Sequence, residues 1–151
     1  MALSYREFLK SLPQSVLANL PEPLQSIQVR QPWRWLIQFH YGEPRLHYEV
    51  SRPPGRKGFE LGFHCEARDR DLNRFMVLGF RRHLFEIKAE LGESAEAEMW
   101  DRGWTKVYEV LPETELTEAY QEQVGARLAE FIICLHPIYV QLRNDVARIH
   151  R

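Results

Sequence analysis

Three histidines and three glutamates, His40, His47, His64, Glu49, Glu60 and Glu66, share the polar positions of one stretch, Trp33 to Ala67. Imidazole and carboxylate groups bind zinc-class divalent cations and exchange protons near neutral pH. Their spacing matters more than their number. If Phe39 pairs with Tyr48, His40 lies opposite His47 and Gln38 opposite Glu49. If Val50 pairs with Phe59, Glu49 lies opposite Glu60 and His47 opposite Gly62. Opposed side chains on one sheet face have Cβ atoms about 5 Å apart. This register gathers His40, His47, Glu49 and Glu60, with His64 on the neighbouring diagonal. Two facing carboxylates repel, so a cation, an arginine or water must separate them. The group suits a metal site in a metal-dependent hydrolase. A solvated sheet face is the preferred account, because a one-residue register change disperses the set and no HExxH pattern supports it.

The second chemistry is basic. Arg52, Arg56 and Lys57 sit in a Pro/Gly-rich hairpin loop, Ser51 to Gly58, where they can meet phosphates. Arg30 and Arg34 beside Trp33 and Trp35 add the basic-aromatic mixture that suits single-stranded nucleic acid. Solubilising an exposed hairpin tip explains the same residues. Arg68, Arg70, Arg74, Arg81 and Arg82 interleave with Asp69, Asp71 and Glu86, which describes a salt-bridged surface. There is no GxSxG, Walker A or helix-opening GxGxxG pattern. Trp33, Trp35, Trp100 and Trp104 are core and rim residues, or anchors for a partner.

Alternation of period two places these residues on strands. Trp33 to Tyr41, Leu46 to Val50 and Phe59 to Glu66 form a three-strand antiparallel meander with one apolar face. Gly42-Glu43-Pro44 turns the first hairpin. Trp104 to Leu111 is a later strand, and Ile27 to Arg30 a short extended piece entering the sheet. Glu93 to Gly103, rich in Glu and Ala, reads as a short helix or acidic loop. Ser4 and Glu7 form a capping box ahead of Phe8, Leu9 and Leu12. Pro13 ends that turn or opens a second one capped by Ser11. Asp69 or Asp71 caps a helix carrying Leu72, Met76, Phe80, Leu84, Ile87 and Leu91, which Gly92 ends. Leu116 to Ile149 keeps helical spacing, and Pro137 must kink or break it.

The fold class is therefore α+β over residues 1–151: an antiparallel sheet of four to five strands, helices packed on its apolar face, and a long Pro-kinked C-terminal helix. A length of 151 residues suits one domain, and the −1 net charge weighs against a dedicated nucleic-acid binder. Cys65 and Cys134 have apolar neighbours, which suits buried, reduced thiols of a cytoplasmic protein. No secretory signal or membrane span is read.

Leu46 to Leu142 resembles an uncharacterised bacterial domain family sometimes appended to restriction-endonuclease-like nucleases. The resemblance rests on Phe59-Glu60-Leu61-Gly62-Phe63, on Phe85 to Gly92 ending in Glu-Leu-Gly, on Trp104 to Tyr108, and on Leu135-His136-Pro137. It implies the same order of strand, helix, strand and long helix, and brings no catalytic residues. The chain reads as complete, with no nuclease part. Taken together, the residues point first to a non-enzymatic cytosolic interaction or accessory module without a cofactor, meeting a protein partner or a second copy through the C-terminal helix or the sheet edge. The alternative is a nucleic-acid-associated accessory domain using Arg52, Arg56 and Lys57. The third reading is the metal-dependent hydrolase on His40, His47, Glu49, Glu60 and His64.

Overall fold

A computed structural model describes residues 2–53 and 55–149; Pro54 of the hairpin loop lies outside them. Among the described residues the chain is α+β, with one six-stranded antiparallel sheet and four α-helices. Helix α1 (Tyr5–Ala18) is followed by β1 (Gln28–Trp33), β2 (Leu36–His40), β3 (Leu46–Ser51) and β4 (Glu60–Cys65). Then come α2 (Arg70–Arg82), α3 (Leu84–Leu91), β5 (Glu96–Met99), β6 (Thr105–Val110) and α4 (Glu118–Ile149). The strands lie in the order β1-β2-β3-β4-β6-β5.

The six strands exceed the sequence expectation of four to five. The apolar-polar run from Trp33 to Tyr41 is not one strand. A turn at Arg34 and Trp35 splits it, and the extended piece before it becomes β1, bulged between Arg30 and Trp33. Glu96–Met99 is strand, not helix or loop: its edge pairing with β6 overrides the helix propensity of Glu and Ala.

Helix boundaries follow local chemistry. The Ser4 hydroxyl accepts from Glu7 N–H and the Glu7 carboxylate from Ser4 N–H. Pro13 sits inside α1 and does not end it, and Ser11 is no cap, since its hydroxyl donates to Glu7 O. Asp69 caps α2. The long helix expected from Leu72 to Leu91 is two, because the chain turns at His83 (φ −102°, ψ 10°). Gly92, at φ +98°, ends α3. Helix α4 runs unbroken for 32 residues with Pro137 inside it.

The core lies between the helices and one sheet face. Phe63 of β4 meets Phe80 of α2 and Tyr139 of α4 edge-on, and Phe8 of α1 stacks on Phe59. Within that core Glu109 of β6 accepts a bidentate ion pair from Arg127 of α4, at 2.7 and 2.8 Å. Cys65 and Cys134 are free and buried, and burial pushes both thiols up to about 12. Among the described residues no helix is long and apolar enough to cross a membrane.

Candidate functional site

The first hairpin keeps the expected register, Phe39 against Tyr48 and Gln38 against Glu49. The second is displaced by two residues: Val50 pairs with Leu61, not Phe59. A two-residue shift preserves the face of every side chain and changes its partner. Glu49 therefore faces Gly62 instead of Glu60, and His47 faces His64 directly. Of the expected set, His47, Glu49 and His64 converge, and Glu66 joins them. Glu60 stands beside the group, 3.7 Å from His64 Nε2. His40 is apart: its Nδ1 accepts from Gly42 N–H at 3.1 Å.

The polar face is not solvated. His40, His47, Glu49, Glu60, His64 and Lys106 are between 2% and 8% exposed. Trp100, from the turn between β5 and β6, lies edge-on to His64, and Lys106 Nζ sits 5.0 Å from its ring centre. Burying carboxylates is costly unless each has a partner, and here each has one. Glu60 takes Lys106 at 2.9 Å and Arg56 at 3.1 Å. Glu49 takes His47 and Gln38, both at 3.2 Å, and Glu66 takes His64 Nδ1 at 3.0 Å. Lys106 and Trp100 had no place in the sequence reading of this face. The parity of Lys106 in the last strand is its one signal, and it says nothing about which strand lies next door.

Burial alone raises the Glu49 carboxyl, yet the His64 and His47 imidazoles and the Gln38 amide outweigh it and bring it down to about 2. Burial lowers His64, and Glu49, Glu66 and Glu60 outweigh it, so its net shift is upward. The depressed Glu49 contributes stability that is complete above pH 4.5 and lost as pH falls toward 2. The raised His64 contributes stability that is complete below pH 6.5 and lost as pH rises through its folded value. Thermal melts in chelator are expected to peak between those limits and decline on both sides. His64→Gln should remove the alkaline decline, and an unchanged alkaline limb in that variant would contradict the assignment.

Arg52 and Arg56 of the basic loop are engaged within the fold. The Arg52 guanidinium lies 5.7 Å from the Tyr5 ring centre and its Nε donates to Arg56 O. Arg56 is the counter-charge of Glu60, and Lys57 is exposed. Large apolar side chains are exposed elsewhere, above all Phe85 at 89% on α3, and Ile133 and Val140 at 42% on α4.

No protein-family model, curated protein or solved structure matches this chain.

Proposed function

We propose that this chain is a non-enzymatic cytosolic interaction module that meets a second copy of itself through the outer surface of α3 and α4. The carrying observation is an inversion of the usual surface: the acid-base groups of the sheet face are buried and its carboxylates paired, while Phe85 is almost fully exposed. A hydrolase needs its acid-base groups and an open coordination position to reach substrate. Here the converging carboxylates and imidazoles are closed in, and both thiols are buried and protonated.

On α4, Ile133, Pro137 and Val140 are exposed at spacings of four and three, which is one helical stripe. Arg127 near the start of α4 reaches Leu91 O, and Glu90 adjoins Cys134. Gly79 of α2 lies against Leu142, so the chain from α2 to the end of α3 passes along α4 from Leu142 toward Arg127. A two-fold contact sets one such patch against its copy, and a stable one buries about 800 Å² per partner. A nucleic-acid role has less support, since Arg52 and Arg56 are engaged within the fold.

Sedimentation velocity over a dilution series tests this. The wild type is expected to be dimeric, and Phe85→Asp and Ile133→Asp monomeric with unchanged circular dichroism. A wild type that is monomeric at its highest soluble concentration, or a dimer that survives both substitutions, overturns the proposal.

A further inference from the structure

The two histidines of the sheet face are oriented in a way that their hydrogen bonds alone leave incomplete. His47 Nδ1 lies 2.8 Å from Pro44 O. A carbonyl only accepts, so Nδ1 carries the proton. The other nitrogen, Nε2, is then turned on the Glu49 carboxylate at 3.2 Å. His64 repeats the pattern: Nδ1 donates to Glu66 at 3.0 Å, and Nε2 faces Glu49 and Glu60, both at 3.7 Å. That buried Nε2 has no hydrogen-bond partner. Two imidazoles therefore present Nε2 to one carboxylate, with the Nδ1 of His47 held by Pro44 O and that of His64 by Glu66. Metal-ligating histidines are held in this way, with the second nitrogen donating to a carbonyl or carboxylate.

We infer that His47, Glu49 and His64, with Glu66 beside them, bind one divalent cation of the zinc class. One ligand atom from each of the four lies within 4.8 Å of the others. A tetrahedral centre with metal–ligand bonds of about 2.0–2.2 Å sets neighbouring ligand atoms about 3.4 Å apart. The separations here are 3.2 Å from His47 Nε2 to Glu49 and 3.7 Å from His64 Nε2 to Glu49. Side-chain shifts of about half an ångström close that difference. Two imidazoles with carboxylates select zinc, cobalt or nickel over magnesium and calcium, which prefer all-oxygen sites. The register builds the site: His47 and His64 are direct cross-strand partners, and Glu49 faces Gly62, which has no side chain to compete. The centre is closed, so the cation is structural and ties β3 to β4. This inference is independent of the contact surface on α3 and α4.

Untagged protein, stripped with EDTA and dialysed into metal-free buffer, would be titrated with zinc by calorimetry. Cobalt would serve as a visible probe of coordination and magnesium as the contrast. One zinc per chain, a higher melting temperature and tetrahedral cobalt bands are expected, with no response to magnesium. His64→Gln and Glu49→Gln should each weaken zinc by about 100-fold or more, and Glu66→Gln by about 10–100-fold. His83→Gln, on an exposed helix start, should bind as the wild type does. Absence of saturable zinc binding to the folded wild type overturns the inference, as does zinc affinity unchanged in Glu49→Gln. Should His64→Gln fail to fold, the cobalt spectrum of the wild type and the Glu49→Gln titration decide the matter.

Discussion

Lys106→Met is expected to lower the unfolding free energy by about 3 kcal/mol, within the range for breaking a buried ion pair from one side. Lys106 is nearly inaccessible, and its ammonium lies 2.9 Å from Glu60 and 4.1 Å from the centre of the Tyr108 ring. Removing that charge leaves Glu60, itself 3% exposed, with the half-exposed Arg56 and a more distant His64. The loss is therefore one of uncompensated charge, more than of the attraction itself. That distinction yields a control. Lys106→Met with Glu60→Leu removes both charges and should recover most of the loss, because apolar replacement of a buried pair is often neutral. Urea denaturation of the two single variants and the double variant makes the comparison. A single-variant loss below about 1 kcal/mol would place the pair with surface salt bridges and refute the argument.

Gly62→Ala should be more damaging still, although it adds one methyl group. A Cβ at this position would stand 2.1 Å from Val107 O, 2.6 Å from Tyr108 Cα and 2.8 Å from Tyr108 Cβ. Two of these are backbone atoms of the adjacent strand, which cannot rotate away. Relief requires β4 and β6 to separate where Gly62 pairs with Tyr108, in the interior of the sheet. Strand glycines of this kind mark a close backbone approach. Overpacking costs typically about 1–3 kcal/mol where side chains give way, and here the backbone itself must shift, so about 3 kcal/mol or more is expected, with loss of soluble protein a natural result. An Ala variant with the wild-type urea midpoint would show that the strands accommodate the methyl.

Much of this architecture is written locally. Ser4 and Glu7 close a capping box, Asp69 caps α2, and Gly92 ends α3 at positive φ, each through atoms a few residues apart. Other elements are not local. Glu96–Met99 has the composition of a helix and becomes an edge strand because β6 offers it a ladder. The turn at His83 interrupts a stripe whose spacing continues smoothly from Leu72 to Leu91. The turn at Arg34 and Trp35 reverses the chain inside a run of alternating residues.

The polar face of the meander shows where the boundary falls. Alternation by itself determined that His40, His47, Glu49, Glu60, His64 and Glu66 share one side of the sheet, because successive side chains on a strand point to opposite faces. It also determined that Phe39, Tyr48, Val50, Leu61 and Phe63 share the other. Parity cannot tell one register from another two residues away, since both leave every side chain on the same face. Nor can it tell whether a face is wet. Only the tertiary structure decided that His47 meets His64 and that Glu49 stands opposite Gly62. Only the tertiary structure brought Lys106 and Trp100 in from elsewhere in the chain to neutralise and cover that face. Side-chain direction is set by each residue's own backbone, whereas burial and charge compensation depend on neighbours distant in sequence.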